Sequence, residues 1–103
     1  MTPGELFYAR KLVRNILSRG HRISVSDGED WPVRGTRSED AVMNALDACD
    51  VEYLFVVDAD VDRPLGSFML VYGNDPEGDE LVADHSDTGL LSAIWNEVFG
   101  GGQ

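Results

Sequence analysis

Apolar positions along the chain follow two periods, and the switches between them mark out the elements. Leu6, Ala9, Val13, Ile16 and Leu17 recur at helical spacing, with Arg10, Lys11 and Arg14 on the other side. Just before them, Thr2-Pro3-Gly4-Glu5 has the form of a capping box. The Thr2 hydroxyl is placed to accept from the Glu5 amide, the Glu5 carboxylate to reach back, and Pro3 is preset for the first helical position. With Gly20 suited to a left-handed stop, this predicts one helix, Pro3 to Arg19.

The period then changes to two. Ile23 and Val25 alternate with Arg22, Ser24 and Ser26, which predicts a strand over His21 to Ser26 with one wet face, ended by a turn at Asp27-Gly28. Trp31-Pro32-Val33 suggests a short return strand, confined to an edge or a loop because Pro32 has no amide to donate. Thr36-Arg37-Ser38-Glu39 is a second capping-box candidate, leading into Val42, Ala45, Leu46 and Cys49 on one helical stripe.

Glu52 to Asp58 and Ser67 to Tyr72 are apolar on both faces and are expected to be central strands, joined as a hairpin through the turn from Asp58 to Gly66. Residues 73–79 are dense in turn formers, and Glu80 to His85 follows as another strand. Ser86 or Asp87 is expected to cap a last helix carrying Leu91, Ile94, Trp95 and Val98 as one stripe, ended by Gly100. The order α-β-(β)-α-β-β-β-α predicts the α+β class: a mainly antiparallel sheet of three to five strands packed with three helices. Residues 1–99 form one domain in this reading, and 100–103 a flexible Gly-rich tail.

Composition supports a folded chain. At 103 residues, 43% apolar and with nine aromatic side chains, it has the material for one core despite a net charge of −11. A domain of this size buries roughly 65% of its unfolded surface, enough to fold without disulfide or metal. The single cysteine, Cys49, forms no internal disulfide and points to a reducing compartment. The sequence shows no signal-peptide core and no run of eighteen apolar residues, so the expectation is a cytoplasmic protein that does not enter a membrane.

Charge is unevenly placed. Seven of the eight basic residues (Arg10, Lys11, Arg14, Arg19, Arg22, Arg34 and Arg37) precede Ser38, whereas fifteen carboxylates follow Arg37 with Arg63 as the sole cation among them. Such a field repels nucleic acid and anionic membrane and steers a basic partner inward. It excludes direct nucleic-acid binding as the leading role. Arg10, Lys11 and Arg14 are the one basic cluster, and pairing with the chain's own carboxylates is its simpler use.

No complete catalytic, metal or nucleotide motif is present, and no cofactor is expected. Asp58-Ala59-Asp60-Val61-Asp62 opens like a calcium loop, but Arg63 stands where Gly is needed and Met69 where a bidentate Glu is needed. A solvated hairpin tip is the simpler expectation. Asp84, His85, Ser86 and Asp87 hold the letters of a hydrolytic triad, but strand neighbours point to opposite faces. His21, His85, Asp84 and Cys49 lack zinc-ligand spacing, and Cys49 is expected to be a small core residue. The glycines of residues 73–78 sit among carboxylates that repel phosphate.

The remaining candidate is the acidic surface itself. Asp58, Asp60, Asp62, Asp75, Glu77, Asp79 and Glu80 lie on turns expected to share one end of the sheet, forming an interaction face. Ser24 to Trp31, Phe68 to Asp75 and Glu80 to Asp87 together resemble small acidic phage and prophage proteins of unknown function. That resemblance spans most of the chain and carries no catalytic motif; it implies a phage or prophage setting in a bacterial cytoplasm and binding to a host protein.

The function expected from all this is a non-enzymatic protein-interaction module, acting on a protein partner or by self-association. Two alternatives stand beside it. One is a DNA mimic that blocks a nucleic-acid-binding or defence protein; the other is a small enzyme with an unrecognised carboxylate site.

Overall fold

Thr2 opens the first helix in the way its sequence predicts. In the computed structural model, which describes residues 1–73 and 75–100, its hydroxyl accepts from the Glu5 amide at 3.1 Å and its amide donates to Glu5 Oε1 at 2.8 Å. Helix α1 runs Pro3–Ser18, and Gly20 leaves it at a φ of 87°. There follow β1 (Arg22–Ser26), β2 (Val33–Thr36), α2 (Glu39–Ala45), β3 (Val51–Val57), β4 (Pro64–Val71), β5 (Val82–His85) and α3 (Gly89–Phe99).

The strands form one five-stranded sheet in the order β2-β1-β3-β4-β5, every pair antiparallel. The α+β reading and its element order hold, with the optional strand present. That strand begins just after Pro32 and lies at an edge, where a missing amide costs no ladder bond. The doubly apolar segments become β3, the middle strand, and its neighbour β4.

One parity of each strand meets the helices. Ile23 and Val25, Leu54 and Val56, and Phe68 and Leu70 are buried with Ala9, Leu12, Val13 and Ile16 of α1, Val42 of α2, and Leu91, Ile94 and Val98 of α3. All three helices therefore cover the same face of the sheet. Along its rim an aromatic row links α1 to β5, with Tyr8 stacked on Phe99, Phe99 on Trp95, and His85 between Trp95 and Phe68.

Among the described residues two carboxylates are buried without a cationic partner, and backbone amides satisfy both. Glu5 adds the Gly73 amide at 3.0 Å to its capping role, tying the start of α1 to the end of β4. Glu52, fully buried on β3, accepts from the amides of Asp47 at 2.7 Å and Ala48 at 3.2 Å, and so fixes the turn after α2. Asp47 enters that turn at a φ of 67°.

Several local expectations fail for identifiable reasons. Ser38, rather than Thr36, caps α2 by accepting from the Ala41 amide; Glu39 is then the first helical residue, where it meets Arg10 and Arg14 instead of closing a capping box. The helix then ends at Ala45, so Cys49 leaves the stripe and is exposed, where it was expected in the core. Thr88 caps α3, and Ser86 instead accepts from the Ser67 amide across the β4–β5 pair. Of the tail expected at 100–103, Gly100 caps α3 and residues 101–103 lie outside the described residues, as does Asn74 within its turn. No helix among the described residues is long and apolar enough to cross a membrane.

Candidate interaction surface

Antiparallel order decides where the loops fall. Ser26 pairs with Tyr53 and Val51 with Val71, so residues 27–32, 46–50 and 72–81 gather at one end of the sheet. Val57 pairs with Arg22 and with Pro64, which puts residues 58–63 at the opposite end. The seven acidic candidates are thus split. Asp75, Glu77, Asp79 and Glu80 lie at the first end, and Asp58, Asp60 and Asp62 at the second, roughly 25 Å away along β4 at about 3.3 Å per residue. They do not form the single face that the sequence suggested.

The first end collects other carboxylates instead: Asp27, Glu29 and Asp30 from the β1–β2 loop, and Asp47 and Asp50 from the α2–β3 loop. With the four from the β4–β5 loop these make nine, and the three loops contain no Lys or Arg. The Met1 ammonium reaches Asp47 at 2.7 Å. Exposed Cys49 registers this field, since partial desolvation and then the carboxylates of Asp27, Glu52 and Asp50 raise its thiol pKa.

Some of these groups have structural duties. Asp27 accepts from the amides of Glu29 and Asp30, and Asp75 from those of Glu77 and Glu80. The backbone bonds hold both carboxyls below the usual aspartate range. Glu29, Asp30, Asp50, Glu77, Asp79 and Glu80 are exposed, and their carboxylates make no hydrogen bond among the described residues. They are the outward charge of this end.

The second end is mixed and internally occupied. Asp58 accepts from the amides of Asp60 and Val61, which holds its carboxyl low, and stands 3.6 Å from Arg63. Asp62 meets Arg22 at 2.9 Å, and the same guanidinium donates to the carbonyls of Asp58 and Val61. Arg37 donates to the carbonyl of Ala59. The Asp58 and Asp62 oxygens of the apparent calcium loop therefore point to backbone amides and to Arg22, and no group of metal-capable side chains assembles among the described residues.

The early arginines mostly answer late carboxylates. Arg10 and Arg14 grip Glu39 at 2.6 and 2.8 Å, and Arg19 meets Glu97 at 2.7 Å. The basic cluster is largely spent within the molecule, and Lys11 lies beside the rings of Phe7 and Tyr8. Nor do the triad letters form a triad. His85 Nδ1 lies 3.0 Å from the carbonyl oxygen of Ser86, the Asp84 carboxylate accepts from the His85 amide, and Ser86 Oγ accepts from Ser67.

A third surface had no prediction. The sheet face away from the helices presents Val51, Tyr53 and Phe55 of β3 and Met69 and Val71 of β4, all half-buried, with Trp31 packed on Phe55 at 5.0 Å between centroids. Toward β2 it deepens into an open groove of about 640 Å³ between Trp31, Phe55, Arg22 and Arg34. The signal lay in the doubly apolar strands together with too few helices to cover both faces.

In comparisons with known proteins, the chain matches no protein-family model, no curated protein and no solved structure.

Proposed function

We propose that the chain is a non-enzymatic protein-interaction module whose carboxylate end docks a basic surface on a protein partner. The observation carrying this is the convergence of nine carboxylates on three adjacent loops that contain no lysine or arginine. Six of those side chains are exposed and free of hydrogen bonds among the described residues, so their charge is directed outward. A field of one sign raises the encounter rate with a basic partner and rejects nucleic acid and anionic lipid. The exposed single Cys49 suits the reducing cytoplasm of a bacterial cell, and the phage or prophage resemblance supplies host proteins as partners.

The test is capture of partners from host lysate at low and high salt, comparing the natural chain with a variant carrying Glu29→Gln, Asp30→Asn, Asp50→Asn, Glu77→Gln, Asp79→Asn and Glu80→Gln. Docking by the carboxylate end requires a partner that is held at low salt, released at high salt and absent from the variant. A set of partners unchanged by the six substitutions at low salt overturns the reading. Competition by duplex DNA for a captured partner separates imitation of DNA from docking on any other basic surface.

A further inference from the structure

We propose that the helix-free sheet face is a homodimer interface, pairing with the same face of a second copy about a two-fold axis parallel to the strands. This goes beyond the docking role of the carboxylate end and does not depend on it.

Sheets bury apolar faces against other layers, and here one face has three helices while the other, among the described residues, has only Trp31 folded over it. Trp31 keeps 40% of its surface exposed, and Tyr53, Phe55 and Met69 beside it are half-buried. An aromatic and methionine patch of this kind is typical of the buried centre of an interface.

Charge selects the second copy and the axis. Arg22 is already met by Asp62, which leaves Arg34 toward the β2 edge and Asp84, paired across from Met69, on β5 at the other edge. The face is thus positive at one margin and negative at the other. A two-fold axis along the strands lays β2 of one copy over β5 of the next, so that Arg34 meets Asp84 twice and Trp31 falls on the Met69 side of its counterpart. An axis across the strands would set Arg34 over Arg34 and Asp84 over Asp84. Sheets stacked in this way lie about 10 Å apart with strands nearly aligned.

The footprint is modest. Five strands about 4.8 Å apart and some six residues long span roughly 24 by 20 Å, or about 1,000 Å² counted over both copies, the range of reversible pairs. The same axis puts the two carboxylate ends side by side. Their repulsion opposes association and is relieved by salt, so the dimer tightens as ionic strength rises, opposite to a contact made by the carboxylates.

Sedimentation equilibrium of the full chain at low and high salt tests this, with Arg34→Asp, Asp84→Arg and the double exchange. Both side chains are exposed, so the fold survives their replacement. The expected result is a species of twice the 11.3 kDa chain mass, favoured by salt. Each single reversal should weaken it by at least about threefold, and the double exchange should restore it. Tyr53→Lys, checked for folding by circular dichroism, should leave a monomer. A monomer at every concentration and salt, a dimer indifferent to the single reversals, or a dimer weakened by salt overturns the proposal. Partner capture by the carboxylate end does not enter this measurement, so either idea fails alone.

Discussion

Gly4 and Gly78 meet backbone to backbone. A Cβ on Gly4 would strike the main chain of Pro76 and Glu77, and one on Gly78 would strike the main chain of Gly4 and Glu5. The first turn of α1 and the β4–β5 loop can close on each other only because neither residue has a side chain there. The Thr2 hydroxyl, donating to the Asp75 carbonyl, and Glu5, accepting from Gly73, fasten the same junction. This contact holds the carboxylates of the β4–β5 loop against the rest of the molecule.

Gly78 also sits at a φ of 80°, so Gly78→Ala adds a steric clash to a strained backbone. The expected loss is at least about 2 kcal/mol in a denaturant titration. Gly20→Ala is the control: its φ is 87° but a Cβ there meets nothing among the described residues, so the backbone term alone applies, about 1 kcal/mol. Equal losses for the two variants would show that the close approach contributes nothing.

Arg22 fastens the β3–β4 turn with three contacts: to the carbonyls of Asp58 and Val61 and to the Asp62 carboxylate. Gly35 makes room for it, since a Cβ there would lie 2.9 Å from Nη1. A lysine keeps the charge but cannot present a planar fork to three acceptors. Arg22→Lys should therefore cost nearly as much as Arg22→Gln, about 1.5 to 3 kcal/mol by equilibrium unfolding. If Lys retains full stability, charge alone is sufficient and the fork is irrelevant.

The contrast between these two junctions shows what the sequence could convey. Local signals were legible: the Thr2–Glu5 box, the existence of β1, and the edge position next to Pro32 each follow from neighbouring residues, whereas the wet face expected of β1 is covered, with Ser24 and Ser26 both buried. What failed depended on contacts distant in sequence. Glu39 belongs to α1's arginines, 25 and 29 residues away, and not to its own helix cap. Burial of Glu5 depends on the amide of Gly73, 68 residues away, whereas Glu52 is satisfied by amides only four and five residues before it, in the turn left by the early end of α2. The acidic candidates were misplaced for a simpler reason. Successive turns of an antiparallel meander lie at alternate ends, so Asp58–Asp62 and Asp75–Glu80 cannot share one, whereas Asp27–Asp30 and Asp75–Glu80 do.

Acid sensitivity should trace in part to Glu39. Hydrogen bonds from Arg14 and then Arg10 hold its carboxyl below the ordinary 4.5. A lowered folded pKa means that the contribution is complete above about 4.5 and is lost as pH falls through the folded value. Glu39→Gln removes it, so the difference in melting temperature between natural chain and variant should shrink steadily below pH 4.5. Relief of the net charge acts on both proteins and largely cancels in that difference. A constant gap across the acid range would exclude the Arg10–Glu39–Arg14 grip as its source.

Tyr72 should govern the alkaline limb. Its hydroxyl is buried, facing the Glu52 carboxylate without reaching good hydrogen-bond geometry to any group among the described residues. Burial first, and the Glu52 carboxylate second, push its pKa well above the ordinary 10.0. Because the folded value is raised, the neutral phenol keeps its full contribution below 10.0, and stability falls as pH climbs beyond it, where the unfolded chain releases the proton and the folded one does not. Tyr72→Phe removes both the proton and the unpaired hydroxyl. At neutral pH it should change stability by no more than about 1 kcal/mol. Above pH 10 it should unfold later than the natural chain, and an ultraviolet titration of the folded protein should lose no tyrosinate signal below that pH by the substitution. Coincident alkaline unfolding curves would place the Tyr72 hydroxyl in water and remove the buried contact with Glu52 from the account of this end of the sheet.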